Sequence, residues 1–110
     1  MAHELDKLKR GRLRELASIA YERELSRDLA DLENEFRRWR AGEINAFDLS
    51  DAVHRFHQGP SRDLFSKYAP SNLEIVVARA IHDGVVSKDE AGSALVEHLS
   101  GHLAAFSSTG

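Results

Sequence analysis

The chain has 110 residues, a formal net charge of −3 and no cysteine. This length fits a single domain, 1–110, with one hydrophobic core, and the absence of cysteine excludes disulfides, thiolate metal sites and a cysteine nucleophile. The longest apolar runs are only a few residues and the N-terminus lacks the pattern of a secretory signal, so we expect a cytoplasmic protein without a membrane span.

The composition favours helices throughout. Leucine, alanine, glutamate and arginine are abundant and β-branched residues are few, which is typical of helical proteins. The only prolines, Pro60 and Pro70, stand where the chain is expected to turn. The sequence therefore predicts an all-α fold in which one long amphipathic helix is followed by a compact cluster of three to four shorter helices.

The long helix is predicted over residues 12–41, after a basic amphipathic arm at residues 1–11. Apolar side chains recur along it at spacings of four, three, four and three residues, at Leu25, Leu29, Leu32, Phe36 and Trp39. Arginines in its last turn and Gly42 after it are typical of a helix end. A helix of this length reaches about 45 Å, more than a globule of this size needs. We therefore expect this stripe to bury part of its surface against a second copy or another protein.

The shorter helices are predicted within residues 45–104, followed by a tail at residues 105–110. Capping boxes, in which an N-cap Asn or Ser is paired with an acid three residues further along the chain, mark the start of three of them. They are Asn45 with Asp48, Ser71 with Glu74, and Ser87 with Glu90. Gly59 followed by Pro60 predicts a break between two helices. The last helix is expected to run unbroken from Ser87 through Leu103.

One polar corner contains the residue types of an acid–base or anion-binding site. It lies around the predicted break at Gly59 and contains His54, Arg55, His57, Arg62 and Asp63. Histidine titrates near neutral pH and arginine binds oxyanions, so an enzyme of the ribonuclease type is one interpretation. A solvated corner, in which the two arginines pair with nearby aspartates, is the alternative. Phosphate-binding glycine loops and a serine nucleophile motif are missing from the sequence.

Metal binding is not expected. His98 and His102 are spaced to chelate one ion, alone or together with His54 and His57, but no pattern of a structural site accompanies them. The segments 42–48 and 84–90 are similar to the second half of an EF-hand calcium loop. The preceding ligand positions hold one acid in six, whereas calcium needs six to eight oxygens. The sequence thus predicts neither a metal nor a cofactor.

A cluster of cations in the N-terminal arm supports a nucleic-acid interpretation. Five basic side chains occupy eight positions, at Lys7, Lys9, Arg10, Arg12 and Arg14. Such an arm can follow phosphates, but the chain as a whole is acidic and lacks stacking aromatics near the arm.

Two hypotheses follow from these patterns. The first is a small, non-enzymatic protein–protein interaction or regulatory module that acts as a homodimer or with another protein. The alternative is a nucleic-acid-linked protein that binds through the basic arm or uses the corner around His57. The run from Gly42 to His57 resembles sequence of small bacterial proteins, which favours a bacterial source.

Overall fold

The computed structural model describes residues 2–69 and 72–109, and all regular structure in these ranges is helical. Seven helices occur there in chain order: α1 (Ala2–Arg40), α2 (Ala46–Gln58), α3 (Pro60–Lys67), α4 (Leu73–His82), α5 (Lys88–Ala91), α6 (Ser93–His98) and α7 (Ser100–Thr109). The predicted all-α fold, with a long first helix and several shorter ones, is confirmed. None of these helices is both long enough and apolar enough to cross a bilayer.

By its packing the chain divides into two compact units. Unit 1 combines Met1–Tyr21 with Pro70–Gly110, and unit 2 comprises Glu22–Ala69. The N-terminal half of α1 therefore belongs to unit 1 and its C-terminal half to unit 2. The prediction of a single domain stays a prediction.

Unit 1 has a hydrophobic core. Its most completely buried large side chains come from four separate segments of the unit and are Leu16, Val77, Val86 and Leu99. Leu13, Leu16 and Ala20 are all buried and follow the helical spacing of three and four residues, so this part of α1 turns one apolar face inward. The Arg12 guanidinium also donates a hydrogen bond of 2.6 Å to the backbone carbonyl of Glu90.

Unit 2 has a smaller core than unit 1. Its buried hydrophobic residues, among those the structure describes, are Leu49, Ala52, Leu64 and Tyr68. In the same unit Phe47 is 82% exposed and Phe65 is 67% exposed. Unit 2 therefore exposes large apolar side chains to water, although few apolar side chains are buried in its core.

Local capping chemistry sets several helix boundaries as predicted. The backbone N–H of Asp48 donates to the Asn45 side chain at 2.8 Å, and the Asn45 N–H donates to the Asp48 carboxylate at 3.1 Å. Ser87 and Glu90 form the same reciprocal pair at the start of α5. Pro60 opens α3, where its missing N–H leaves no hydrogen bond unmade.

The cap of α4 differs from the prediction. Ser71 lies outside the described residues, and the N-cap is Asn72. Its side-chain oxygen accepts hydrogen bonds from the backbone N–H groups of Glu74 and Ile75. The N-cap is therefore the residue next to the predicted one, and its side chain is an equally good capping group.

The two ends of the chain are more helical than predicted. α1 begins at Ala2 and passes through Gly11 without a break, so residues 2–11 of the predicted arm are part of the long helix, and Met1 lies outside the described residues. Residues 105–109, predicted as tail, belong to α7; Gly110 lies outside the described residues. The Phe106 ring lies 5.8 Å from the His82 ring and 5.8 Å from the Arg79 guanidinium, which holds this end against α4.

The predicted last helix is instead three helices. α5 ends at Gly92, whose φ of +89° and ψ of 148° lie outside the helical region, and α6 ends at Leu99. Glycine adopts this backbone conformation at little cost, whereas other residues are strained there. The prediction of an unbroken helix from Ser87 through Leu103 is wrong because glycine also tolerates a helix interior, and sequence spacing does not distinguish the two cases.

Candidate functional site

The predicted interface stripe lies on the α1 segment of unit 2 and is incompletely covered. Leu25 and Leu32 are half-buried. Leu29 is 46% exposed, Phe36 is 38% exposed and Trp39 is 41% exposed. Apolar residues at this spacing normally face a core, so the neighbouring helices of unit 2 cover only part of the stripe.

An open cleft of about 430 Å³ lies beside the stripe, entirely within unit 2. Its apolar lining comes from all three helices of the unit and consists of Leu32, Ala52, Phe56 and Pro60. Its charged lining consists of Asp28, Asp31, Glu35, Arg38 and Arg55. Concave surfaces that combine apolar lining with a few polar groups are the usual form of a binding site.

The acidic side of the cleft is a row of carboxylates on α1. Asp28, Asp31 and Glu35 are spaced by three and four residues and share one face of the helix. Glu35 accepts hydrogen bonds of 3.1 and 3.2 Å from Arg38, and this pairing raises the pKa of the Arg38 guanidinium. The side chains of Asp28 and Asp31 make no hydrogen bond or ion pair with any residue in the described ranges. The cleft therefore has two carboxylates that are available to an external cation.

A polar cluster ties α1 to the end of α3 within unit 2. Lys67 Nζ lies 3.0 Å from Glu24 Oε1, and the Tyr68 hydroxyl donates a hydrogen bond to Glu24 Oε2. The residue Tyr68 is buried, and the side chains of Glu24 and Lys67 are mostly shielded from water. Sequence reasoning missed this cluster, since 43 residues separate Glu24 from Lys67. The cluster joins α1 to the end of α3 through side-chain contacts.

We expect Glu24→Leu to lower the free energy of unfolding by about 1.5–3 kcal/mol, because it removes a charged acceptor from the part-buried Tyr68 hydroxyl. Urea unfolding followed by circular dichroism measures this change. The matched control is Tyr68→Phe, alone and combined with Glu24→Leu. The double variant should lose less than the two single variants together, and strictly additive losses would contradict the assigned hydrogen bond.

The polar corner around Gly59, the candidate site if the protein is an enzyme, stays a prediction. His54, Arg55, His57, Arg62 and Asp63 all lie in unit 2 around the α2–α3 junction, and all are exposed. In the described ranges no hydrogen bond or ion pair joins any of them to another, and the predicted pairing of the arginines with nearby aspartates is also missing. Arg55 also lines the cleft of unit 2.

The predicted nucleic-acid residues lie on the part of α1 that belongs to unit 1. Lys7, Arg10 and Arg14 are exposed and share one helix face with Asp6. Arg12 is engaged within the unit, through the carbonyl of Glu90 and at 3.0 Å from Glu15. Lys9 is half-buried. The five predicted cations are thus divided, and three of them form a continuous exposed row.

The C-terminal histidines contact an acid that sequence reasoning missed. In unit 1, His98 Nε2 lies 3.3 Å from Glu74 Oε1, and His102 Nε2 lies 3.5 Å from Glu74 Oε2. Glu74 was expected only as a capping residue, because nothing in the sequence indicates which helix faces α6 and α7. Among the described residues no three histidine, aspartate or glutamate side chains are gathered closely enough to hold a metal ion. His54 and His57 belong to unit 2.

Comparison with known proteins gives no match. No protein-family model, no curated protein and no solved structure matches the chain. The surfaces of the molecule therefore carry the functional interpretation. Of these, the stripe and cleft of unit 2 combine apolar area, concave shape and uncompensated charge.

Proposed function

We propose that this chain is a non-enzymatic, cytoplasmic protein–protein interaction module that acts through unit 2, by association with a second copy or with a partner protein. The observation that carries the proposal is the exposure of Leu29, Phe36 and Trp39 on one helix stripe beside an open cleft. Exposed apolar side chains that share one helix face and adjoin a concave surface are typical of interaction sites in soluble proteins. Single exposed side chains would carry no such meaning.

The exposed area of the stripe determines how much free energy it can contribute to association. An aromatic side chain buries about 150–250 Å² when fully covered, so the stripe leaves on the order of 200 Å² of apolar surface uncovered. Covering that area contributes about 5 kcal/mol at ~25 cal/mol per Å². Association itself costs about 4–15 kcal/mol, so the stripe alone does not hold a stable complex. We expect the apolar lining and the charges of the cleft to supply the rest of the free energy of association.

The variant Leu29→Asp tests the proposed interface. Burying an unpaired carboxylate in the centre of the stripe should weaken association about 30-fold or more, the effect of losing roughly 2 kcal/mol at a central contact. Sedimentation velocity over a range of concentrations measures the change in assembly.

The matched control is Ala30→Asp, which introduces the same charge into the same helix one position away. Ala30 is exposed and points away from the stripe, so this variant should associate as the unchanged chain does. Equal association of the folded Leu29→Asp variant would show that the stripe is not the interface.

A further inference from the structure

The exposed face of α1 in unit 1 carries a row of cations with no assigned role. Lys7, Arg10 and Arg14 follow one another at spacings of three and four residues, and Asp6 is the acid that lies among them. In the described part of the chain none of these three cations forms an ion pair or a side-chain hydrogen bond. Among the described residues, these three cations therefore neutralise no acid through a direct contact.

The cleft of unit 2 carries the complementary row. Asp28, Asp31 and Glu35 repeat the same three-and-four spacing with the opposite charge. Glu35 is paired with Arg38, whereas the side chains of Asp28 and Asp31 have no partner among the described residues. Arg55 is the second cation of the lining, so the lining as a whole carries three acids and two arginines, a net charge of −1. Two helical segments with matched spacing and opposite charge can pair along their length. The methylene stems of lysine and arginine also cover apolar surface, which suits the Leu32 and Phe56 lining of the cleft.

We propose that the cleft of unit 2 binds the basic α1 segment of a second copy of this chain, with Lys7, Arg10 and Arg14 facing Asp28 and Asp31. The inference rests on the proposed function and names the partner in it. A two-fold symmetric pair makes the contact twice, because each copy supplies one basic segment and one acidic cleft. The second contact adds charge and covered surface that the apolar stripe lacks. The occupant follows from charge complementarity within one sequence.

Charge reversal followed by mixing tests the pairing in the full chain. Asp28→Lys with Asp31→Lys gives one variant, and Lys7→Glu with Arg10→Glu gives the other. Each variant alone places like charges in both contacts and should associate at least ~10-fold more weakly than the unchanged chain. An equimolar mixture places opposite charges in both contacts and should recover association. Sedimentation velocity in 50 mM salt measures all three samples, and 500 mM salt should weaken the recovered complex.

The mixing step separates misfolding from repulsion, since two misfolded chains do not restore each other. Recovery in the mixture supports the inference. If the two variants associate as strongly as the unchanged chain while Leu29→Asp dissociates, the stripe remains the interface and the proposed pairing is wrong. If the chain stays monomeric and Lys7→Glu with Arg10→Glu instead removes co-purifying nucleic acid, the row binds phosphates and the inference is overturned.

Discussion

Replacing Leu99 by alanine should lower the free energy of unfolding by about 2–5 kcal/mol. Leu99 is completely buried in unit 1, where Val77 and Val86 are also without exposed surface. Truncation removes its transfer free energy and leaves a cavity that the surrounding helices fill only in part. Small proteins are stable by about 5–15 kcal/mol, so this single change removes a large fraction of the total.

Urea unfolding followed at 222 nm by circular dichroism measures the loss. Leu103→Ala on α7 is the matched control, because Leu103 is only half-buried and the same truncation there should cost clearly less. Equal losses at the two positions would mean that Leu99 is not in the core of unit 1.

Two glycine-to-alanine substitutions should change stability in opposite directions. Gly92 has a φ of +89° and a ψ of 148°, a conformation in which a Cβ is strained, so Gly92→Ala should cost about 1–3 kcal/mol. Gly11 lies inside α1 with nothing within 4 Å of an added Cβ. Gly11→Ala should therefore stabilise the chain by about 0.5–1 kcal/mol, since alanine is the better helix former.

Thermal unfolding distinguishes the signs. For a chain of this size a change of 1 kcal/mol moves the midpoint by about 4 °C, so the two variants should lie on opposite sides of the unchanged protein. A higher midpoint for Gly92→Ala would indicate that α5 and α6 are one continuous helix, as the sequence spacing predicted. A lower midpoint for Gly11→Ala would place the helix start after residue 11.

The sequence predicted those parts of the fold that depend on neighbouring residues. The capping pairs at Asn45 and Ser87 and the break at Pro60 are determined within four residues, and all three are confirmed. The breaks at Gly92 and Leu99 depend instead on how the last three helices pack in unit 1. Packing of this kind overrides local helix propensity and does not show in sequence spacing.

The candidate site also has parts that could be predicted from neighbouring residues and parts that could not. The stripe at Leu29 and Phe36 follows from periodicity along one helix, so the sequence was sufficient to find it. The cleft could not be predicted, since its lining brings Asp28 together with Phe56 and Pro60 from other helices. The contacts of Glu24 and Glu74 were missed for the same reason, because each acid meets partners more than 20 residues away.

A native mass spectrum of the untagged full chain tests the association of two copies most directly. We expect a species of twice the 12.3 kDa chain mass, without added mass from metal or nucleotide, that separates into single chains as salt is raised. A single chain at every concentration, or one that carries a zinc- or nucleotide-sized adduct, would contradict it.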